Sequence, residues 1–295
     1  MRKTSVILLA VVSVLLCLAA VAQEPMGPPK VLSIIREEVK VGKGAAHEKW
    51  EAAWMQAEVR AKYPTSYLAM TAATGANEAW YLFGFDSFAA WEKDAKLSET
   101  PPFMAVSQHY GAGDAEYVSN TRNVVALYRP DLSYRANIKV GEMRYFAVRT
   151  VRVRPGHDNE YVEIRKLVNA ARTKASVDDH NAVYQVVSGA PNGTYLVFTP
   201  RKSMAEADAP PNPAMADALG DDGRAKLNDL VGKAILGSED TLFAFSPKMS
   251  HPSADMIAAD PAYWTPKPAA ATKETAAGGK KPAAAPAGKQ KPAGN

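Results

Sequence analysis

The chain has 295 residues, of which 47% are hydrophobic and 22% are charged, as expected for a folded protein with a sizeable core. Its single cysteine, Cys17, lies in an apolar N-terminal leader, so a processed chain has neither disulfides nor thiolate metal sites. The net charge of +4 comes from the two ends, because residues 266–295 hold six lysines against one glutamate and the leader adds two basic residues. The remainder is net acidic, so nucleic-acid binding is not expected.

Residues 1–22 are predicted to be an export signal. Arg2 and Lys3 form its charged start, an apolar run follows, and Ala20-Val21-Ala22 matches a small-x-small cleavage site. The mature chain is therefore expected to begin at Gln23 and to reach the periplasm or the outside of the cell. Two alternatives are weaker: the apolar run is short for a membrane anchor, and a lipoprotein would need a small residue before Cys17.

Residues 23–130 are predicted to form a first structural unit. Trp50, Trp54 and Ala57 recur at helical spacing on a helix that ends before Pro64. The predicted elements are the strand Val31–Ile35, continuing toward Val41, the helix Ala45–Lys62, the strands Tyr67–Ala72 and Trp80–Phe85, two helical segments around Phe88–Trp91 and Phe103–Tyr110, and the strand Val124–Arg129.

Residues 144–250 are predicted to repeat this order after a linker over 131–143. The strands are Tyr145–Val153, Ala182–Val187, Thr194–Thr199 and Leu242–Phe245, and the helical regions are around Tyr161–Ala171 and Lys202–Gly237. The stretch Gly75–Phe83 returns as Gly189–Val197, with Gly, Ala, Tyr and Leu at an identical offset. Each copy has the composition of a turn followed by a strand.

Each unit is thus βαββαβ, which gives a four-stranded antiparallel sheet with helices on one face. Because the strands are apolar on both sides, the bare sheet faces are expected to cover one another. The predicted fold class is α+β, with two ferredoxin-like units packed sheet to sheet. Residues 251–295 are predicted to be a disordered Ala/Pro/Lys-rich tail, which either keeps the protein soluble or contacts anionic envelope surfaces.

With its two Gly-Ala hairpins, the breaks at Gly44 and Pro155-Gly156 and the segment Asp86–Trp91, the chain resembles the dimeric α+β barrel superfamily. Members include antibiotic-biosynthesis-type monooxygenases, NIPSNAP-like proteins, EthD-like proteins and haem-degrading monooxygenases. The resemblance implies a fused pseudo-dimer, homo-oligomers as a further option, and a fold that does not fix the activity.

No metal site is predicted, because the five histidines lack metal-ligand spacing and have no carboxylate pattern nearby in the sequence. Haem-degrading relatives imply an Asn on the first strand, a Trp in the sheet and a His on the second helix. Trp80 and His109 match two of these roles loosely, but the Asn is missing. The expectation is therefore that the protein binds no cofactor, haem included.

Glu37 and Arg149 occupy matching positions on the first strands of the two units. Our hypothesis is that both line the space between the sheets as a buried ion pair or polar handle; the alternative is that both reach solvent. Further candidates for lining a pocket are aromatic, and for these plain core packing is the alternative: Tyr67, Trp80, Tyr81, Tyr184 and Tyr195.

The sequence thus favours an exported protein that binds a small, largely apolar molecule between its sheets, or that acts as an interaction module. A cofactor-independent monooxygenase-type oxidoreductase is the alternative. No residue is assigned as catalytic, and whether the protein is an enzyme stays open.

Overall fold

The computed structural model describes residues 27–208 and 212–265, so the predicted export signal and the stretch from Pro266 onward lie outside the described residues. Eight strands are described: β1 (Val31–Val39), β2 (Tyr67–Ala72), β3 (Glu78–Phe85), β4 (Val118–Tyr128), β5 (Tyr145–Val153), β6 (Ala182–Ser188), β7 (Thr194–Arg201) and β8 (Ile235–Phe245). Seven α-helices are described: α1 (Gly44–Ala61), α2 (Phe88–Ser98), α3 (Phe103–Asp114), α4 (Asp158–Lys174), α5 (Pro213–Ala234), α6 (Ala254–Ala259) and α7 (Pro261–Trp264).

The eight strands close into one antiparallel barrel in the order β1-β3-β2-β8-β5-β7-β6-β4. Each βαββαβ unit supplies four neighbouring strands, which confirms the predicted α+β fold. The two sheets also join at their edges: β2 pairs with β8, with Met70 opposite Phe245, and β4 pairs with β6, with Tyr128 opposite Tyr184. Backbone hydrogen bonds therefore leave neither sheet with an open edge.

The barrel interior is the main core, and strand alternation decides which side chains enter it. On β1, Leu32 and Ile34 point inward, whereas Ile35 and Val39 pack in a separate cluster under the helices. Both units contribute large aromatic side chains to the interior, and Trp80 of β3 packs on Phe243 of β8 at a ring-centroid distance of 4.6 Å. The predicted mutual covering of the two sheets is the basis of this core.

The second copy of the repeated hairpin turn lies against β4, where β4 and β6 pair to close the barrel. Gly75 and Gly189 have φ angles of 80° and 81°, which favour glycine at both turns. At Gly189 the space is also closed, since a Cβ atom there would overlap with the Asn123 carbonyl oxygen on β4. The sequence motif is therefore a turn requirement, and in its second copy it is also a packing requirement at a strand junction.

Helices α1 and α3 cover the outer face of the first sheet. The Trp50 indole nitrogen donates to the Tyr110 carbonyl at 3.1 Å and ties the two helices together. Gly113 permits their close approach, because a Cβ atom there would overlap with the Trp50 ring. This approach brings the end of α3, with Asp114, close to the middle of α1.

The prediction that disorder begins at residue 251 is wrong for the described residues up to 265. Helices α6 and α7 form there because Trp264 is only 2% exposed, packs in the barrel core and donates its indole N–H to the Gly141 carbonyl at 2.8 Å. The Tyr263 hydroxyl also donates to the Phe245 carbonyl at 2.9 Å. Among the helices of the described ranges, none combines the length and the apolarity that a membrane span needs.

Candidate functional site

A cavity of about 1240 Å³ opens at one end of the barrel and is called here the inter-sheet cavity. Its inner wall comes from interior-facing residues of both sheets: Leu32, Leu68, Leu82, Phe146, Tyr184 and Phe198. The linker contributes Ile138 and Val140, and α6 contributes Met256. An apolar cavity of this size, walled by rigid strands, is the usual form of a small-molecule site.

Polar groups reach this cavity from its rim. Asn181 lines it and is 1% exposed; its Oδ1 accepts from Arg165 Nη2 at 2.6 Å, whereas its Nδ2 has no partner among the described residues. Asp94 also lines the cavity and accepts a hydrogen bond from the Tyr63 hydroxyl at 3.0 Å.

Two of the predicted pocket residues line the inter-sheet cavity. Tyr184 does so from β6, where its hydroxyl donates to the Pro29 carbonyl at 3.1 Å, and Tyr67 does so from β2. Trp80 lies in the barrel interior against Phe243, without lining the cavity. Tyr81 and Tyr195 face the helices, and the Tyr195 hydroxyl donates to Asp158 at 2.8 Å.

The hypothesis that Glu37 and Arg149 line the inter-sheet space is wrong. The two residues do share a face, as their matching positions predicted, but it is the outer face toward the helices, because the alternate residues of β1 and β5 fill the interior. Glu37 is buried beneath α1. Arg149 is exposed and forms a bidentate ion pair with Asp240, in which Nε donates to Oδ1 at 2.8 Å and Nη2 donates to Oδ2 at 2.9 Å.

A second polar site lies on that outer face in the first unit. Four side chains, here called the acidic cluster, converge between the sheet and the helices: Glu37 from β1, His47 and Glu51 from α1, and Asp114 from α3. One nitrogen or oxygen atom from each lies within 4.8 Å of the other three. All four are between 2% and 7% exposed, and His47 Nε2 is 2.9 Å from Glu37 Oε2.

The protonation of the cluster is strongly perturbed. Burial, followed by the charges of Glu37 and Asp114, raises the pKa of Glu51 to about 9. Burial and the Glu37 charge raise the pKa of Asp114 to about 6 against the opposing effect of His47. On the next turns of α1, burial raises the pKa of Glu58 to about 7, although the Tyr67 hydroxyl donates to Glu58 at 3.0 Å.

A small cavity of about 180 Å³, called here the acidic pocket, adjoins the cluster. Its polar lining includes Glu37, Glu51 and Glu58, and its aromatic walls include Tyr81 and Phe103. Perturbed carboxylates beside a cavity are typical of functional sites, although structural networks also produce them.

Sequence reasoning missed His47, Glu51 and Asp114. The expectation of no metal site rested on local spacing, and the fold instead assembles four ligand-type groups that are far apart in the sequence. One signal was present: His47 and Glu51 are four residues apart, so they share a face of the helix. Asp114 and Glu37 could be added only once the contact of α3 with α1 and the outward face of β1 were known.

No protein-family model matches the chain, and no curated protein matches it by sequence. Solved structures match over most of its length. An anthrone oxidase-like protein is 10% identical, with 75% of this chain and 94% of that chain covered and a TM-score of 0.47. A provisional monooxygenase from Fusobacterium nucleatum is 14% identical, with 75% and 94% covered and a TM-score of 0.46.

A heme-binding protein from Thermus thermophilus is 11% identical, with 76% of this chain and 93% of that chain covered and a TM-score of 0.41. These similarities are similarities of fold. The expectation that the protein binds no cofactor, haem included, is corrected, because a heme-binding protein is among its neighbours in fold. The two residues matched to haem roles do not assemble in this chain: Trp80 is inside the barrel, whereas His109 is exposed on α3 and packs against Trp50.

Proposed function

We propose that the protein binds a small, largely apolar molecule in the inter-sheet cavity. The observation that supports this most strongly is the cavity itself, about 1240 Å³ walled by six buried apolar or aromatic side chains from both units. Because the cavity opens to solvent, its apolar wall is in contact with water, and a ligand that covers this wall would gain the free energy of apolar burial.

This proposal is tested by native mass spectrometry of the full chain purified from its own host. The expected result is an excess mass that is lost on denaturation. In parallel, the emptied protein is titrated with the apolar fluorophore 1-anilinonaphthalene-8-sulfonate and, separately, with haem. The fluorophore is expected to bind at one site per chain, and haem binding would appear as a Soret band.

A matched pair of variants locates the site. Leu82→Trp places a large side chain in the cavity and is expected to weaken fluorophore binding at least tenfold. Val187→Trp adds the same side chain at an exposed position of β6 that does not line the cavity, and it should leave binding unchanged. Equal binding by both variants, or no excess mass and no single-site binding by the natural protein, would contradict the proposal.

An oxidoreductase of the cofactor-independent kind would use the same cavity, because such enzymes depend on a dry pocket and on the reactivity of the substrate itself. This alternative is distinguished by following the mass of the bound molecule in air and under argon. A gain of oxygen that requires the protein and air identifies an enzyme, whereas an unchanged ligand identifies a binding protein.

We also propose export as the cellular context. The support is the charged start, apolar run and small-x-small site of residues 1–22. N-terminal sequencing of the protein from its own host is expected to begin at Gln23, and retention of Met1 would overturn the proposal.

A further inference from the structure

The acidic cluster in the first unit is a site of a different kind, and it is independent of the inter-sheet cavity. Its four members come from three elements and meet in a buried position between sheet and helices. A cluster of carboxylates alone is common on protein surfaces, where water solvates each group. Here the four groups are almost without access to water, so their hydrogen bonds can be accounted for one by one.

That accounting leaves two oxygen atoms without partners. Oε1 of Glu51 and Oδ1 of Asp114 are buried and accept no hydrogen bond from any described residue. The Tyr81 hydroxyl lies close enough to Glu51 to lower the pKa of that carboxyl, but the pair does not reach full hydrogen-bond geometry, and no second donor approaches Asp114 Oδ1. An unpaired buried carboxylate oxygen costs more than a lost neutral hydrogen bond, and such groups call for an explanation in each case.

The cluster also has few cationic neighbours. The only ion pair that any of the four makes within the described residues is between His47 and Glu37. No lysine or arginine of these residues forms an ion pair with Glu51 or Asp114. A proton on Glu51 would lessen the repulsion, but it would leave Glu37 and Asp114 as two carboxylates beside one imidazole. A cation between the four groups would satisfy the oxygens and the charge together.

From this geometry we propose that the acidic cluster binds a divalent first-row transition-metal ion, with Glu37, His47, Glu51 and Asp114 as its protein ligands. One imidazole and three carboxylates form a mixed nitrogen and oxygen set that suits Mn²⁺, Fe²⁺ or Zn²⁺ better than the all-oxygen preference of Ca²⁺ or Mg²⁺. The absence of thiolate and thioether groups from the set disfavours Cu⁺.

The distances support this assignment. In octahedral coordination, ligands at about 2.1 Å from the ion lie about 3 Å apart when adjacent and about 4.2 Å apart when opposite. The separation of 2.9 Å between His47 Nε2 and Glu37 Oε2 is that of two adjacent ligands. All the ligand atoms lie within 4.8 Å of one another, so the carboxylates would have to close by at most about 0.6 Å to reach octahedral positions.

The acidic pocket gives the site a second property. Glu37 and Glu51 line both the cluster and this cavity of about 180 Å³, so an ion held by them would face an open space on one side. Four protein ligands would close the shell of a tetrahedral Zn²⁺ ion, whereas a six-coordinate Mn²⁺ or Fe²⁺ ion would keep positions for a small molecule from this cavity. The ligand class for the open position is a small oxygen donor, water included.

The test is isothermal titration calorimetry of the purified full chain, stripped with a chelator and titrated with MnCl₂ and, separately, with ZnCl₂. The expected result is one ion per chain and a rise in melting temperature with either metal. Glu51→Gln and Asp114→Asn keep the size of each side chain and are expected to weaken binding at least tenfold while circular dichroism shows native folding.

A matched control comes from the second unit. Glu163 is an acidic residue of α4 that is exposed and pairs with Lys226 at 2.5 Å. Glu163→Gln is therefore expected to bind metal as the natural protein does. The proposal is overturned if the natural protein binds neither ion, or if Glu51→Gln and Asp114→Asn bind as tightly as Glu163→Gln, since the ion would then be held elsewhere, as at a surface histidine.

Discussion

The two units of the barrel have the same order of strands and helices, but they differ in the charged side chains that are buried between sheet and helices. In the first unit the carboxylates of Glu37 and Glu51 are buried between the sheet and the helices. Glu51 Oε1 has no hydrogen-bond partner among the described residues. At the positions that strand register and helix burial match in the second unit, Val151 is buried and apolar, and Arg165 is buried but donates to the Leu132 carbonyl and to Asn181 Oδ1. The backbone therefore does not require buried acids at these places, and their presence in one unit alone points to a role beyond folding.

The barrel interior does not show this difference, because both units contribute apolar side chains to one shared core. Phe243 of the second unit is 1% exposed and packs on Trp80 of the first. Phe243→Ala is expected to lower the free energy of unfolding by about 3–5 kcal/mol, since it leaves a cavity between the sheets. Thermal unfolding should still show a single transition.

The control for this variant is Phe88→Ala, which truncates the same side chain where it is 49% exposed on α2 and should change stability far less. Two separate transitions, or equal losses in the two variants, would mean that the units do not depend on a common interior.

The buried acids should make the metal-free protein less stable as the pH rises. The pKa of Glu51 is raised to about 9 in the folded state, so between about pH 5 and pH 9 the folded protein holds a proton that the unfolded chain has lost. The free energy of unfolding is then expected to fall with rising pH, by roughly 1.4 kcal/mol per pH unit for each such proton.

Glu51→Gln should flatten this dependence, and Glu163→Gln should leave it as in the natural protein. Urea denaturation at pH values of about 5.5, 7 and 8.5 measures it. An identical slope for all three proteins would remove Glu51 as its source.

The tyrosines of the repeated hairpin give a smaller and more local contrast. The Tyr195 hydroxyl donates to Asp158 at 2.8 Å, whereas the matching Tyr81 hydroxyl has no partner among the described residues. Tyr195→Phe is expected to cost about 1–2 kcal/mol of stability in urea denaturation, and Tyr81→Phe less than about 0.5 kcal/mol. Equal costs would show that Tyr81 has a partner in solution.

The smallest expected effect is at the exposed ion pair of the second unit. Arg149→Ala removes a partner of Asp240, but both side chains are more than half exposed, so the stability loss is expected to stay below about 0.5 kcal/mol. Salt should reduce this loss further. A loss above about 2 kcal/mol in urea denaturation at low salt would mean that Arg149 is much less solvated than the structure indicates.

The fold was predictable because its signals are local and repeated. The hairpin at Gly75 returns at Gly189, and apolar strands in both copies required their bare faces to meet. The first halves of β4 and β8 were missed since they are polar and exposed, and their pairing with β1 and β5 is a tertiary effect. The same holds for Trp264, whose low-complexity neighbourhood concealed a core residue.

The candidate sites depended on information that spacing does not contain. Glu37 and Arg149 were correctly placed on a common face of the barrel. The sequence did not show whether that face points inward or outward, because a shift of one residue along a strand moves every side chain to the other face. The acidic cluster joins elements that are remote in sequence, and Gly113, which allows α3 to approach α1, gave no sign of this role in the sequence.

The central claim, that only the first unit carries a cation site beneath its helices, is tested most directly by anomalous diffraction. A crystal of the full chain soaked in MnCl₂ and measured near the manganese edge is predicted to show one strong peak between Glu37, His47, Glu51 and Asp114, with none at the matching place near Val151 and Arg165. An empty cluster in a soaked crystal that diffracts well, or equal peaks in both units, would contradict the claim.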